Sequence, residues 1–137
     1  MLLIMDGQGG GVGRALIEQL KKADPQCDIT AVGANAIATA AMLRAGADRG
    51  ATGENAAKVC ASKADIIAGP IGLLMADSML GEITPAIAQA VGSSGAHKVL
   101  VPSAKCGVHI AGMSAVPPLN ALIEDAVEKI IALLKQK

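Results

Sequence analysis

The chain contains no phenylalanine, tyrosine or tryptophan. Its core must therefore be built from Leu, Ile, Val, Met and many alanines. Such side chains let helices and strands approach closely but bury less area each, and an apolar fraction of 52% compensates. Without aromatic rings there is no platform for stacking a base or a flavin, which argues against single-strand nucleic-acid binding. Excess charge is missing too. Twelve Lys and Arg balance twelve Asp and Glu, and no basic stripe appears, so neither a nucleic-acid nor a membrane partner is expected. The closing "KQK" reads as charge opposing a helix dipole.

Cysteines are few. Cys27, Cys60 and Cys106 are widely spaced, odd in number, and form no CxxC. They read as reduced thiols in a cytoplasmic protein, with no metal site expected. No apolar run approaches the roughly 18 residues of a membrane span. The opening "MLLIM" is short for a signal peptide and lacks a basic leader, which again points to the cytoplasm.

What remains is an alternation of short apolar runs with helical segments, and 137 residues suit one domain over 1–137. "LLIM" (2–5), "DITAV" (28–32), "DRGAT" (48–52), "DIIAG" (65–69) and "KVLVP" (98–102) read as strands, and "GVHIAGM" (107–113) as a sixth, edge strand. Helices are predicted over about 11–23 (with Glu18 and Lys22 as an i,i+4 pair), from Asn35 to Gly46, from Thr52 through "ENAAKVCAS", and from Thr84-Pro85 to about Val91. A last helix follows "VPP", with a wide aliphatic stripe from Leu119 to Leu134. Strands separated by helices imply an α/β fold: a three-layer, doubly wound, mostly parallel sheet of five to six strands, Rossmann-like.

Five of the seven residues from Gly7 to Gly13 are glycine. A glycine loop between a strand and a helix aims backbone N–H groups and a helix N-terminus at an anion. The P-loop pattern fails: Gly7 and Gly13 stand one residue too far apart, with Arg14 in place of Lys and Ala15 in place of Ser/Thr. Strict GxGxxG fails at Val12. GxxxGxG fits Gly7, Gly11 and Gly13. "MDGQGGGVGRALIEQL" therefore resembles the opening of short-chain dehydrogenases, with Asp6 in the place of a threonine. "ADIIAGPIG" resembles the segment around their fourth strand, and "KVLVPS" their fifth, with Ser103 near the place of their catalytic serine. The resemblance implies a nucleotide cofactor, NAD(P) or another. It stops before the reaction, because that family's catalytic tyrosine has no counterpart here. The end of the second strand, "VGANA", also offers no ribose-gripping acid; Asn35 is its only polar candidate, and no arginine for a 2′-phosphate stands nearby in sequence. Over its whole length the chain also resembles a family of small bacterial proteins known only as a domain of unknown function, through "DGQGGGVG", "GANAIATAAMLRAGA", "GATGENA", "GPIG…ADSMLGEITP" and "VPSAKCGV". That resemblance implies no activity.

Loops at the carboxyl ends of parallel strands converge on one crevice. The candidate cofactor-binding residues are accordingly Asp6, Gly7, Gln8, Gly9, Gly10, Gly11, Val12, Gly13, Gly33, Asn35, Gly69 and Pro70. Tight turns explain one glycine per loop but not five in the first. If a reaction is catalysed, Ser103, Lys105 and Cys106 are the candidate groups. Cys106 and His109 make a thiol–imidazole pair, half of a metal site that would need further ligands, or, more simply, a small thiol and an unrelated histidine. Asp77, Ser78, Glu82 and Thr84 form a polar patch, with Thr84 as a helix cap and Asp77 or Glu82 as a possible acid/base. Leu73, Leu74, Met75, Met79 and Leu80 form an apolar cluster that serves as lid, core or subunit contact. Expected partners are a small phosphate-bearing ligand and a second copy of the chain. The function read from these features is nucleotide or phosphorylated-ligand binding in the bacterial cytoplasm. The alternatives are a small oxidoreductase or transferase with a composite site in an oligomer, and a non-catalytic scaffold or regulatory module.

Overall fold

The structure, a computed structural model, describes residues 1–104 and 107–136. Strand β1 (Leu2–Asp6) is buried along its whole length, and its alternating side chains separate to two faces. Leu2 and Ile4 join Leu16, Leu20, Met42 and Ile130 in one core, while Leu3 and Met5 join Ala57, Leu73, Ile87 and Val91 in the other. Strands β2 (Ile29–Gly33) and β4 (Ile66–Pro70) are likewise buried throughout. Strands β3 (Arg49–Thr52) and β5 (His97–Val101) close the edges and carry exposed residues. All pairings are parallel, in the order β3-β2-β1-β4-β5.

Helices α1 (Gly11–Ala23), α2 (Ala36–Ala45) and α5 (Leu119–Lys135) contribute to the first core, α3 (Glu54–Lys63) and α4 (Pro85–Ser93) to the second. The chain is thus a three-layer, doubly wound parallel sheet. Its winding reverses between β1 and β4, and at such a point the carboxyl-end loops diverge and leave a crevice.

Local chemistry sets most of the boundaries. The Asn35 side chain accepts from the Ala38 amide at 2.8 Å and starts α2, which Gly46 (φ 123°) ends. Thr84 accepts from the Ile87 amide at 3.2 Å and Pro85 opens α4. Three expectations need correction. Thr52 does not cap α3: it ends β3, and its hydroxyl bonds that of Thr39 at 2.7 Å, leaving Gly53 at the cap position. Glu18 pairs with Arg14 at 3.8 Å rather than with Lys22. Residues 107–113 form no sixth strand; Gly107 (φ 68°) and Gly112 (φ 93°) turn the backbone out of the extended region, and β5 is the edge.

Gly69 has a packing reason. A Cβ there would run into the Met5 carbonyl oxygen of the neighbouring strand, which cannot swing aside. Gly69→Ala is therefore expected to destabilise the fold by about 3 kcal/mol or more, read as a lower urea midpoint. An unchanged midpoint would show that β1 and β4 can separate locally.

Candidate functional site

Helix α1 begins with bare backbone. Its cap residue, Gly10 (φ 74°), has no side chain to offer, and its first turn contains no acid. The missing cap comes from the last residue of β1. Asp6, 5% exposed, accepts from the Gly7 amide through one oxygen and from the Gly13 amide through the other, each at 2.7 Å. Burial pushes this carboxyl above the usual aspartate value. The Gly13, Gly7 and Val12 amides pull it down, and the Glu82 carboxylate raises it further.

The loop is closed from above by the segment after β4. Gln8 (φ 47°) donates its amide to Glu82 Oε1 at 2.8 Å. Asn35 Nδ2 donates to the same oxygen and to the Gln8 carbonyl, both at 2.9 Å. With its own oxygen capping α2, Asn35 is committed to holding the loops together. The Gly10 amide bonds the Gly7 carbonyl at 2.9 Å. Among the described residues, the amides left without a protein acceptor in this turn are those of Gly9 and Gly11.

The same two glycines differ from their neighbours in another way. A Cβ on Gly7 would meet Met79 Sδ at 2.7 Å and Glu82 Oε1 at 2.9 Å. On Gly10 it would meet Ala38 Cα at 3.0 Å, and on Gly13 Met42 Sδ at 2.6 Å. On Gly9 or Gly11 it would meet nothing within 4 Å. Packing thus crowds three of the five glycines, and the other two stand open with their amides.

They open onto two hollows. A cleft of about 770 Å³ lies at the switch point between β1 and β4, a size that suits a cofactor or metabolite. One wall is residues 6–12 with Arg14; the opposite wall is Pro70, Ile71 and Gly72 at the start of the 3-10 turn Ile71–Leu74, and residues 75–79; Ser103 and Leu119 also line it. The opposite wall continues into a tense strap: Asp77, Met79 and Leu80 all have left-handed φ, between 55° and 66°, and Leu80 is 98% exposed. Ser78 Oγ donates to the Gly72 carbonyl at 2.6 Å and ties its base. The second hollow, about 480 Å³, runs between α1 and α2 and is bordered by Gly9, Gly11, Arg14, Glu18 and Arg44.

Of the sequence candidates, Asp6 through Val12, Pro70 and Ser103 meet at the cleft. Gly13, Gly33, Asn35 and Gly69 do not line it; Gly33 packs against Thr39 and Gly69 against Met5. Asp77 and Ser78 line it, whereas Glu82 braces the loop. Lys105 and Cys106 lie outside the described residues, and His109 is exposed on the loop before α5. Ile71 follows Pro70 in a carboxyl-end loop and lines the cleft as such loops should; Met75 and Met79, expected in a lid, core or subunit contact, line it too, whereas both arginines of the groove were missed. Arg14, in the first turn after a glycine loop, was legible as an anion ligand. Arg44, nine residues after its helix cap, was not.

These features define a Rossmann-like parallel α/β protein with a glycine loop at its switch point. The chain belongs to the family described as a domain of unknown function (DUF3842), whose model matches residues 1–135. No curated protein matches it. Among solved structures it is similar to a dodecameric FMN-dependent UbiX-like decarboxylase from Escherichia coli O157:H7, at 18% identity and a TM-score of 0.51, over 98% of this chain and 95% of that one. That likeness is one of fold.

Two measurements test the loop. Gly13→Ala is expected to cost about 1–3 kcal/mol of unfolding free energy, and Gly9→Ala to stay within about 0.5 kcal/mol of wild type; equal losses would contradict the division of the glycines. The second concerns Asp6. A carboxyl raised on folding contributes its full stability below the ordinary value of 3.8 and loses it as pH climbs through the folded-state value. The stability advantage of wild type over Asp6→Asn should therefore shrink across that window and level off above it. A constant difference across the window would mean that folding leaves the carboxyl unshifted.

Proposed function

We propose that this chain binds a nucleotide or another phosphorylated small molecule at the glycine loop between β1 and α1, as a single domain over 1–137 that works in the bacterial cytoplasm as a homo-oligomer. The observation that carries the reading is the pair of unpartnered amides on Gly9 and Gly11, exposed at a helix N-terminus where no packing calls for glycine. Glycine there lets a ligand's oxygens reach the backbone. The cleft beside them supplies room for the rest of a nucleotide. With no aromatic residue in the chain, a ring would lie on Ile71, Met75 and Met79, and thioether sulfur contacts ring edges favourably. The fold-level neighbour is FMN-dependent by its description, which makes FMN the first probe, followed by NAD(P) and AMP.

A second reading adds a reaction whose site is completed by a neighbouring subunit. Leu80, almost fully exposed on the strap beside the cleft, supports it, and the fold neighbour is dodecameric. Ser103, Lys105 and Cys106 remain the candidate reactive groups.

The test is ligand-induced stabilisation. At 100 times its dissociation constant, a ligand specific to the folded state adds about 2.7 kcal/mol. Gly11→Asp should leave the unliganded melting temperature unchanged or raised, because an acid suits the first turn of a helix, yet abolish the shift by repelling phosphate. A shift that survives in Gly11→Asp would place the ligand elsewhere.

A further inference from the structure

The two hollows that meet at Gly9 and Gly11 carry opposite charge. The cleft sets Asp6 and Asp77 against Arg14. The groove between α1 and α2 sets Arg14 and Arg44 against Glu18. The Arg14–Glu18 contact is 3.8 Å long between half-exposed side chains, a pair that water and salt screen heavily. Arg44 has no ion-pair partner among the described residues. The chain has only three arginines, and the third, Arg49, is held by Asp28 at 2.8 Å. Two of the three thus border one groove beside two open amides. A guanidinium presents a planar fork that matches phosphate oxygens in pairs. A phosphate in the cleft would have Arg14 alone, set against Asp77 and the amide-held carboxyl of Asp6.

We infer that a phosphorylated ligand crosses the Gly9–Gly11 turn with its phosphate in the groove, on Arg14 and Arg44, and its uncharged ring in the cleft. This rests on the reading that the glycine loop takes such a ligand, and adds its orientation and the side chains that select it. Arg44 also suits the last turn of α2 through the helix dipole, but that role does not involve a second arginine across the groove or any preference for phosphate.

The phosphate preference can be measured with matched pairs: FMN against riboflavin by flavin fluorescence, and AMP against adenosine by calorimetry. Wild type, Arg44→Ala and Arg44→Lys are compared, with thermal melts to verify that these exposed substitutions leave the fold intact. Wild type should prefer the phosphorylated member. Arg44→Ala should cut that preference by about tenfold and leave riboflavin or adenosine affinity unchanged. Arg44→Lys should recover part of it, as a point charge without the fork. If Arg44→Ala weakens both members equally, or neither, the orientation is wrong while the loop site stands. If wild type shows no preference for phosphate in either pair, the phosphate-binding reading falls and this inference with it.

Discussion

The Asp6 carboxylate joins strand to helix. It is the last residue of β1 and, through the Gly7 and Gly13 amides, the cap of α1. Each of its oxygens is held at 2.7 Å, so the helix cannot tilt or slide relative to the sheet without breaking a charge-assisted bond in a buried setting. Much of the surrounding sequence follows from this. Gly10 must take a left-handed turn so that the chain doubles back over the carboxylate. Gly13 must lack a Cβ, since one would press on Asp6 and Met42. Glu82 and Asn35 then brace the outer side of the loop around Gln8.

An internal anion also changes what the loop can offer. A helix N-terminus that no side chain caps leaves its amides and its dipole to a ligand. Here Asp6 already holds two amides and offsets part of the dipole, leaving the turn at Gly9 and Gly11. A ligand phosphate would need charge from elsewhere, and the arginines nearest to those amides are Arg14 and Arg44. Small side chains make this crowding possible. Glycines at 33 and 69 let strand and loop backbones touch neighbours that a methyl group would push away, and the aromatic-free core keeps helices close to the sheet.

The fold was largely legible because its signals are local. A continuous apolar run at 2–5 announced a strand buried on both faces, "DIIAG" at 65–69 announced another, and Asn35, Gly46 and Thr84 marked helix ends through their own chemistry. The errors fell where tertiary contacts outrank local preference. Thr52 has a good cap residue's side chain, but Thr39 claims its hydroxyl across α2 and β3. Residues 107–113 alternate plausibly for a strand, yet left-handed glycines interrupt them. At the site, the glycine spacing pointed to the loop between β1 and α1, and a cleft opens beside that loop. Spacing did not say which glycines serve packing and which stand open, because Met79, Glu82, Ala38 and Met42 reach them from distant segments.

The sequence by itself determined the class of fold, the place of the glycine loop between the first strand and helix, and the absence of any aromatic stacking surface. Strand and helix periodicity and residue identity are enough for those. Only the tertiary structure decided that Asp6 caps the helix, that Asn35 braces loops, that Gly9 and Gly11 keep their amides open in the glycine turn, and that Arg44 borders their groove. The reason is that these outcomes depend on contacts between segments far apart in the chain, such as the bond from Gln8 to Glu82 across 74 positions. Packing of the sheet and helices sets those distances, and no local pattern encodes them.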